Sequence, residues 1–326
     1  MIGMPKPQEA RDETGALLFH TTAFETPQAR LAASRLDVKQ RQWMLENLLV
    51  VNPLFTAAVD HLSALHLPYG QEGCPGSYKV WAILGESRTG KSFVCKYYTS
   101  LFPPTVTTDY EHFPVVSVTA TIGMKQTEFA RQLNTLTGNP MASTKGGDGA
   151  YVERAIQRLL IVDTHLVLID DAQFLFYERR SDTAMGMFGL IKRIVDQGHV
   201  VMLVGEPKIT DFVDGINAFR NRDYNPVELL ALKKDDRRRM AGLLDSIDKR
   251  LPFREMSGLK NYREDFWGFS KGTVGPVMNI VQDAGRRAVT QDCPHILLEH
   301  LQEAVRTRVK RDDDADYFGY KSAVKK

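Results

Sequence analysis

The run Gly85-Glu86-Ser87-Arg88-Thr89-Gly90-Lys91-Ser92 completes the spacing G-x-x-x-x-G-K-S/T, and the apolar run Val80-Trp81-Ala82-Ile83-Leu84 feeds directly into it. Residues of these types at this spacing hold a nucleoside triphosphate. The glycines let backbone N–H groups approach phosphate oxygens, Lys91 reaches the β and γ phosphates, and the Ser92 hydroxyl can ligate Mg²⁺. ATP and Mg²⁺ are therefore the expected ligands. A second run, Leu166-Val167-Leu168-Ile169, ends in Asp170-Asp171. Asp170 is the candidate for the Mg²⁺ shell, and Asp171 stands where a carboxylate would orient and polarise an attacking water. Aspartate is one methylene shorter than the glutamate usual at that place, and a misplaced base lowers the rate, so slow hydrolysis is expected.

These groups must be positioned by strands and helices. Apolar stretches at Tyr78 to Leu84, Phe113 to Thr119, His165 to Asp170, Val200 to Gly205 and Val227 to Leu232 read as five strands. Between them, apolar residues at helical spacing predict helices over Lys91 to Phe102, Lys125 to Thr137, Ala150 to Val162 and Met185 to Asp196. That alternation predicts an α/β core with a mostly parallel five-stranded sheet. After Leu232 the pattern turns to charged helices: Asp235 to Leu251, Leu259 to Phe269, Val274 to Thr290 and Pro294 to Val309. A P-loop core followed by a small helical lid is the AAA+ plan. The expected divisions are an N-terminal helical appendage for partner docking (1–75), the core (76–232), the lid (233–310) and a charged, partly disordered tail (311–326). Two helices are expected within the appendage, Asp37 to Val51 and Pro53 to Leu65.

Several further residues could take part. Gln173 could contact the water or a neighbouring subunit, or be a plain surface amide. The fourth strand ends at Glu206, where a polar residue usually senses the γ-phosphate and where a carboxylate would repel it. Arg220 and Arg222 lie just before the fifth strand, and either could be the arginine finger offered to the next subunit's nucleotide, with a solvated surface arginine as the plain alternative. Pro276 occupies the helix start where a second sensor arginine often sits, which leaves Arg286 or Arg287 as weak substitutes. Thr119, Thr121, Lys125 and Gln126, with Arg131 further on, suit the phosphates of a polynucleotide backbone. A helix cap and a solvated face are the plainer reading of the same residues.

Composition narrows the classes. A chain of 326 residues with 43% hydrophobic and 25% charged residues has ordinary globular make-up and room for a core plus a smaller domain. The formal net charge is only +2, and residues 1–75 hold six Lys/Arg against eight Asp/Glu, so a polyanion surface is expected downstream. No apolar run reaches the length of a membrane span, and the N-terminus does not resemble a signal peptide. The three cysteines lack C-x-x-C spacing and the eight histidines lack metal spacing. No membrane association and a cytoplasmic setting are expected.

The loop 85–92, the Ile169-Asp170-Asp171-Ala172-Gln173 motif, the Leu203-Val204-Gly205-Glu206-Pro207-Lys208 strand end and Phe219-Arg220 together resemble the TnsC/TniB family of AAA+ transposition ATPases, some of which serve CRISPR-associated transposons. The resemblance spans roughly residues 78 to 310. Asp171 for Glu, Glu206 for Thr and Pro276 for a basic residue depart from the family pattern. What it implies is an ATP-dependent regulator that forms rings or a helical filament on double-stranded DNA and links a target-selecting protein to a transposase. The family's grip on the duplex maps onto Thr119, Thr121 and Lys125. The alternatives are an AAA+ ATPase of another pathway, such as a secretion ATPase or helicase loader, or a nucleotide-gated scaffold that scarcely hydrolyses ATP.

Overall fold

Three of the apolar runs have no polar alternation, which suits strands covered on both faces. In the computed structural model these runs form β1 (Val80–Leu84), β5 (Leu166–Asp170) and β6 (Val200–Gly205), every residue of each buried. The structure describes residues 18–66, 79–139, 147–176, 181–216, 223–233, 237–309 and 315–321. Adding β4 (Val115–Thr119) and β7 (Asn225–Glu228) gives a parallel five-stranded sheet in the order β4-β5-β6-β1-β7. The order brings β6 between β5 and β1, so the two strands that carry the phosphate loop and the paired aspartates share a neighbour. This is an α/β AAA+ core.

Helices α4 (Lys91–Ser100), α5 (Gln126–Leu136), α6 (Asp148–Ile161) and α7 (Ser181–Asp196) connect the strands. Phe129, Leu133, Ile156, Leu159, Ile191 and Ile194 from three of them enclose the sheet's apolar core. A two-stranded antiparallel hairpin, β2 (Thr105–Val106) with β3 (Glu111–His112), precedes β4. Helices α3 (Pro53–His66) and α8 (Ile209–Asp214) complete this unit. The fifth strand ends sooner than the apolar run Val227 to Leu232 predicts. Leu229 still bonds through its N–H to the Leu84 carbonyl at 2.7 Å, but Leu232 donates to the Gly272 carbonyl in the second unit.

The described chain divides at residues 52/53 and 229/230, so residues 18–52 fold with 230–321 and residues 53–66 fold with the sheet. The division expected at residue 75 therefore falls elsewhere. Residues 18–52 carry α1 (Pro27–Ser34), capped by Thr26, and α2 (Val38–Glu46), capped by Asp37. They join the helices α9 (Arg237–Asp248), α10 (Arg263–Ser270), α11 (Val274–Thr290) and α12 (Leu298–Arg306) through Leu45 and Leu48, which share a core with Leu244, Ile247, Phe253, Phe266, Ile280 and Val281. Two buried arginines fix the attachment. Arg30 donates to the Asp248 and Glu255 carbonyls, and Arg41 donates to the Pro252 carbonyl while lying over the Phe253 ring. Each charge is buried and hydrogen-bonded to backbone carbonyl oxygens, a pattern that composition cannot reveal. Part of the expected charged tail is also ordered: Asp316–Tyr317 pairs with Tyr320–Lys321, and Tyr317 and Phe318 enter the same core, Phe318 edge-on to Phe266.

Candidate nucleotide site

The phosphate loop leaves β1 at Gly85, whose N–H bonds to the Gly205 carbonyl at 3.0 Å. A Cβ at residue 85 would lie 2.7 Å from the Leu229 carbonyl oxygen and 2.8 Å from Thr89 Oγ1, so the loop closes only over a glycine. Arg88 and Gly90 turn the chain with φ of 66° and 100°, and α4 begins at Lys91. The Thr89 hydroxyl donates to the Glu86 carbonyl at 2.9 Å. Lys91 is buried, its Nζ donating to the Gly85 and Glu86 carbonyls at 2.7 Å each. Burial lowers its pKa, against the opposing pull of Asp170, Asp171 and Glu206. The ammonium thus stands at the loop's mouth, facing three carboxylates and the first turn of a helix, where anionic oxygens are favoured.

Asp170 is the last residue of β5 and is buried. Burial raises its pKa, while hydrogen bonds from the Ser92 hydroxyl and the Asp171 N–H act against that rise. The structure therefore brings Ser92 and Asp170 together although 78 residues separate them. One hydroxyl and one carboxylate fit Mg²⁺, which takes hard oxygen donors and keeps several waters. When bound, the ion would neutralise developing phosphate charge.

Asp171 leaves the strand in the left-handed region, φ 53°, half-buried. Its Oδ1 accepts from Gln173 Nε2 at 3.1 Å, and Gln173 Oε1 accepts from the Glu206 N–H at 3.3 Å. Gln173 is only 4% exposed, so of its three readings the surface amide is excluded. It bridges the second aspartate to the tip of β6, a role with no signature in the sequence beyond its place two residues after Asp171. Gly205 makes room for it, since a Cβ there would stand 2.1 Å from Gln173 Oε1. Cys95 is buried beside these groups, and burial pushes its thiol well above the usual range, which leaves it unreactive.

The candidate polynucleotide residues follow β4. Thr119 pairs in register with Asp170, and the Ala120 N–H donates to the Asp170 carbonyl at 2.8 Å. Thr121 opens a turn closed by the Met124 N–H at 3.0 Å, with Gly123 at φ 79°. Thr119, Thr121, Ile122 and Lys125 are exposed, Ile122 by 80%. Lys125 occupies the N-cap of α5, where an ammonium has no acceptor to offer the free backbone N–H groups, and it makes no capping bond. Arg131 lies over the Tyr151 ring at 4.4 Å. Arg220 and Arg222 lie outside the described residues. Arg286 is paired with Asp283 at 2.5 Å and with Glu46, and Arg287 stands 4.0 Å from Glu303.

Residues 76–213 match the family described as AAA domain. Comparison with curated proteins finds no match. Among solved structures, the ORC2 protein of Aeropyrum pernix, in ADPNP–ADP complexes, is similar with TM-score 0.60 at 13% identity, covering 80% of this chain and 69% of that one. CDC6P from Pyrobaculum aerophilum aligns with TM-score 0.55 at 13% identity over 80% of this chain and 69% of the other. The Aeropyrum pernix ORC1 protein in complex with DNA gives TM-score 0.52 at 16% identity over 86% and 69%. At these identities the likeness is one of fold. Among the described residues no helix is long and apolar enough to cross a membrane.

Proposed function

We propose that this protein is an ATP-dependent AAA+ ATPase that assembles on double-stranded DNA and regulates transposition, linking a target-selecting protein to a transposase. The observation that carries the DNA part is the ladder at the end of the sheet. Asp170, the candidate Mg²⁺ ligand, pairs with Thr119 and receives the Ala120 N–H, so one backbone connection joins the nucleotide residues to Thr119, Thr121 and Lys125. A shift of Asp170 on nucleotide binding would move that exposed edge directly. In this reading Lys91 and residues 85–92 hold the phosphates, Ser92 and Asp170 hold Mg²⁺, Asp171 polarises water, and Arg220 or Arg222 reaches the nucleotide of a neighbouring copy.

The transposition role is supported by the spelling of the phosphate loop, the Asp-Asp-Ala-Gln motif and the Gly-Glu-Pro-Lys strand end. A replication-initiator or helicase-loader role is the second reading, favoured by the likeness to the ORC and CDC6P structures. ATP turnover measured alone, with duplex DNA, and with DNA plus a transposase offered as partner separates the two. Stimulation by the transposase supports the proposal. Stimulation by a replicative helicase and indifference to the transposase would replace it with the loader.

A further inference from the structure

Four of the chain's eight histidines gather in the sheet unit, at the end of the strands opposite the phosphate loop. His165 and His199 each immediately precede a strand, β5 and β6, while His112 lies in β3 and His66 closes α3. The His165 ring lies 5.7 Å from that of His112 and 5.8 Å from that of His66. Between His112 and His165 stands Asp163, held in the left-handed region at φ 50° by the turn after α6. Its Oδ2 is 3.4 Å from Nε2 of His112 and 3.4 Å from Nε2 of His165. The three donor atoms lie within 4.8 Å of one another, the one grouping of this kind among the described residues.

We propose that His112, Asp163 and His165 form a binding site for a divalent transition metal of the Zn²⁺ class, with a fourth position open to solvent or to a further ligand. A charge-assisted N–H to carboxylate bond is strongest at about 2.7–2.9 Å, and both contacts to Asp163 are longer, at 3.4 Å. Donors about 2.05 Å from a shared tetrahedral ion stand about 3.3 Å apart, which is close to the separation found on both edges from Asp163. Mg²⁺ takes hard oxygen donors, so a site with two imidazole nitrogens favours Zn²⁺ over Mg²⁺.

A second observation points the same way. Nε2 of His112 is buried and has no hydrogen-bond partner, an arrangement that costs free energy unless something accepts its lone pair. Nearby, His199 Nδ1 is bonded to the Thr164 carbonyl at 2.6 Å, and its own Nε2 is likewise buried and unpartnered. Burial lowers the pKa of His199 and takes that of His66 down to about 3, so neither places a positive charge beside the cation. The nearby Arg158 is already committed to Glu111 and to the Thr137 carbonyl. Two imidazoles and one carboxylate are a donor set that Zn²⁺ accepts. The ion would tie β3, the turn after α6 and the start of β5 into one clamp, far from the nucleotide residues.

The test is Zn²⁺ binding by the full chain, freed of metal with a chelator and then titrated in competition with a chromogenic chelator, with Co²⁺ spectroscopy to report tetrahedral coordination. One tightly held equivalent is expected, together with a rise in melting temperature. Asp163→Asn keeps the shape and tolerates the left-handed backbone, and it should weaken Zn²⁺ at least tenfold and abolish that rise. His112→Ala should weaken it similarly, while ADP affinity stays unchanged in both variants and shows that the core is folded. Absence of a stoichiometric equivalent in the wild type, or equal Zn²⁺ affinity in wild type and Asp163→Asn, would overturn the proposal.

Discussion

Replacing Gln173 with alanine removes the bridge between Asp171 and the end of β6. Two hydrogen bonds disappear, one to an ionised carboxylate at 3.1 Å and one from the Glu206 N–H at 3.3 Å. Hydrogen bonds to charged groups contribute about 1.5–3 kcal/mol and neutral ones about 0.5–1.5, and both distances are long, so the variant should be destabilised by about 2 kcal/mol. The larger effect falls on turnover. Asp171, already on a short side chain and in a left-handed turn, is deprived of the group that orients it, and a displaced base costs about 10- to 100-fold in kcat. Nucleotide affinity should stay within about threefold, because Lys91, Ser92 and Asp170 keep their own partners. Gly205→Ala offers an independent route to the same state, since its Cβ would stand 2.1 Å from Gln173 Oε1 and drive the amide away. The two substitutions combined should then cost less than the sum of their separate effects on kcat. Steady-state ATP turnover with DNA, a fluorescent-nucleotide titration and thermal unfolding give all three quantities. Unchanged kcat in Gln173→Ala, or a fall in nucleotide affinity with kcat preserved, would refute the positioning role.

Asp171→Ala should abolish turnover and leave ATP binding intact; preserved turnover would move the base elsewhere. Lys125→Ala should weaken duplex DNA binding and lower the slope of log affinity against log salt by about 1, the signature of one fewer neutralised phosphate. His20 is buried and its Nε2 meets the Arg250 carbonyl at 2.7 Å, and burial lowers its pKa below the ordinary 6.5. Its folded form takes up a proton at lower pH than the unfolded chain does, so its contribution is present above about pH 6.5 and falls away as pH drops below that value, by up to about 1.4 kcal/mol per unit. Unfolding measured from pH 7.5 to 5.5 should therefore steepen in the wild type relative to His20→Gln; parallel curves would show that His20 titrates alike in both states.

The central strands are legible because β1, β5 and β6 are apolar without interruption, as burial on both faces demands. The edge is harder to read. Val227 to Leu232 is one apolar run, but its first part pairs with β1 while Leu232 bonds to Gly272, so one pattern serves two packing environments. Helix α1 is hidden because its eight residues bury only Arg30 and Ala33, which leaves no apolar period. The same two arginines that anchor residues 18–52, Arg30 and Arg41, look like surface charge until their carbonyl partners are seen. In the nucleotide site the phosphate loop and the aspartates follow from local spelling. Gln173 does not, since its partners include a residue on another strand end, and neither does the His112, Asp163 and His165 group, whose members come from three segments that only the fold brings together.

In the proposed function, ATP drives assembly on duplex DNA through the edge joined to Asp170. Negative-stain imaging of the protein with duplex DNA and a slowly hydrolysed ATP analogue, with ADP as the control, tests it most directly. Rings or filaments on DNA are expected with the analogue alone, and isolated protomers under both conditions would refute ATP-driven assembly.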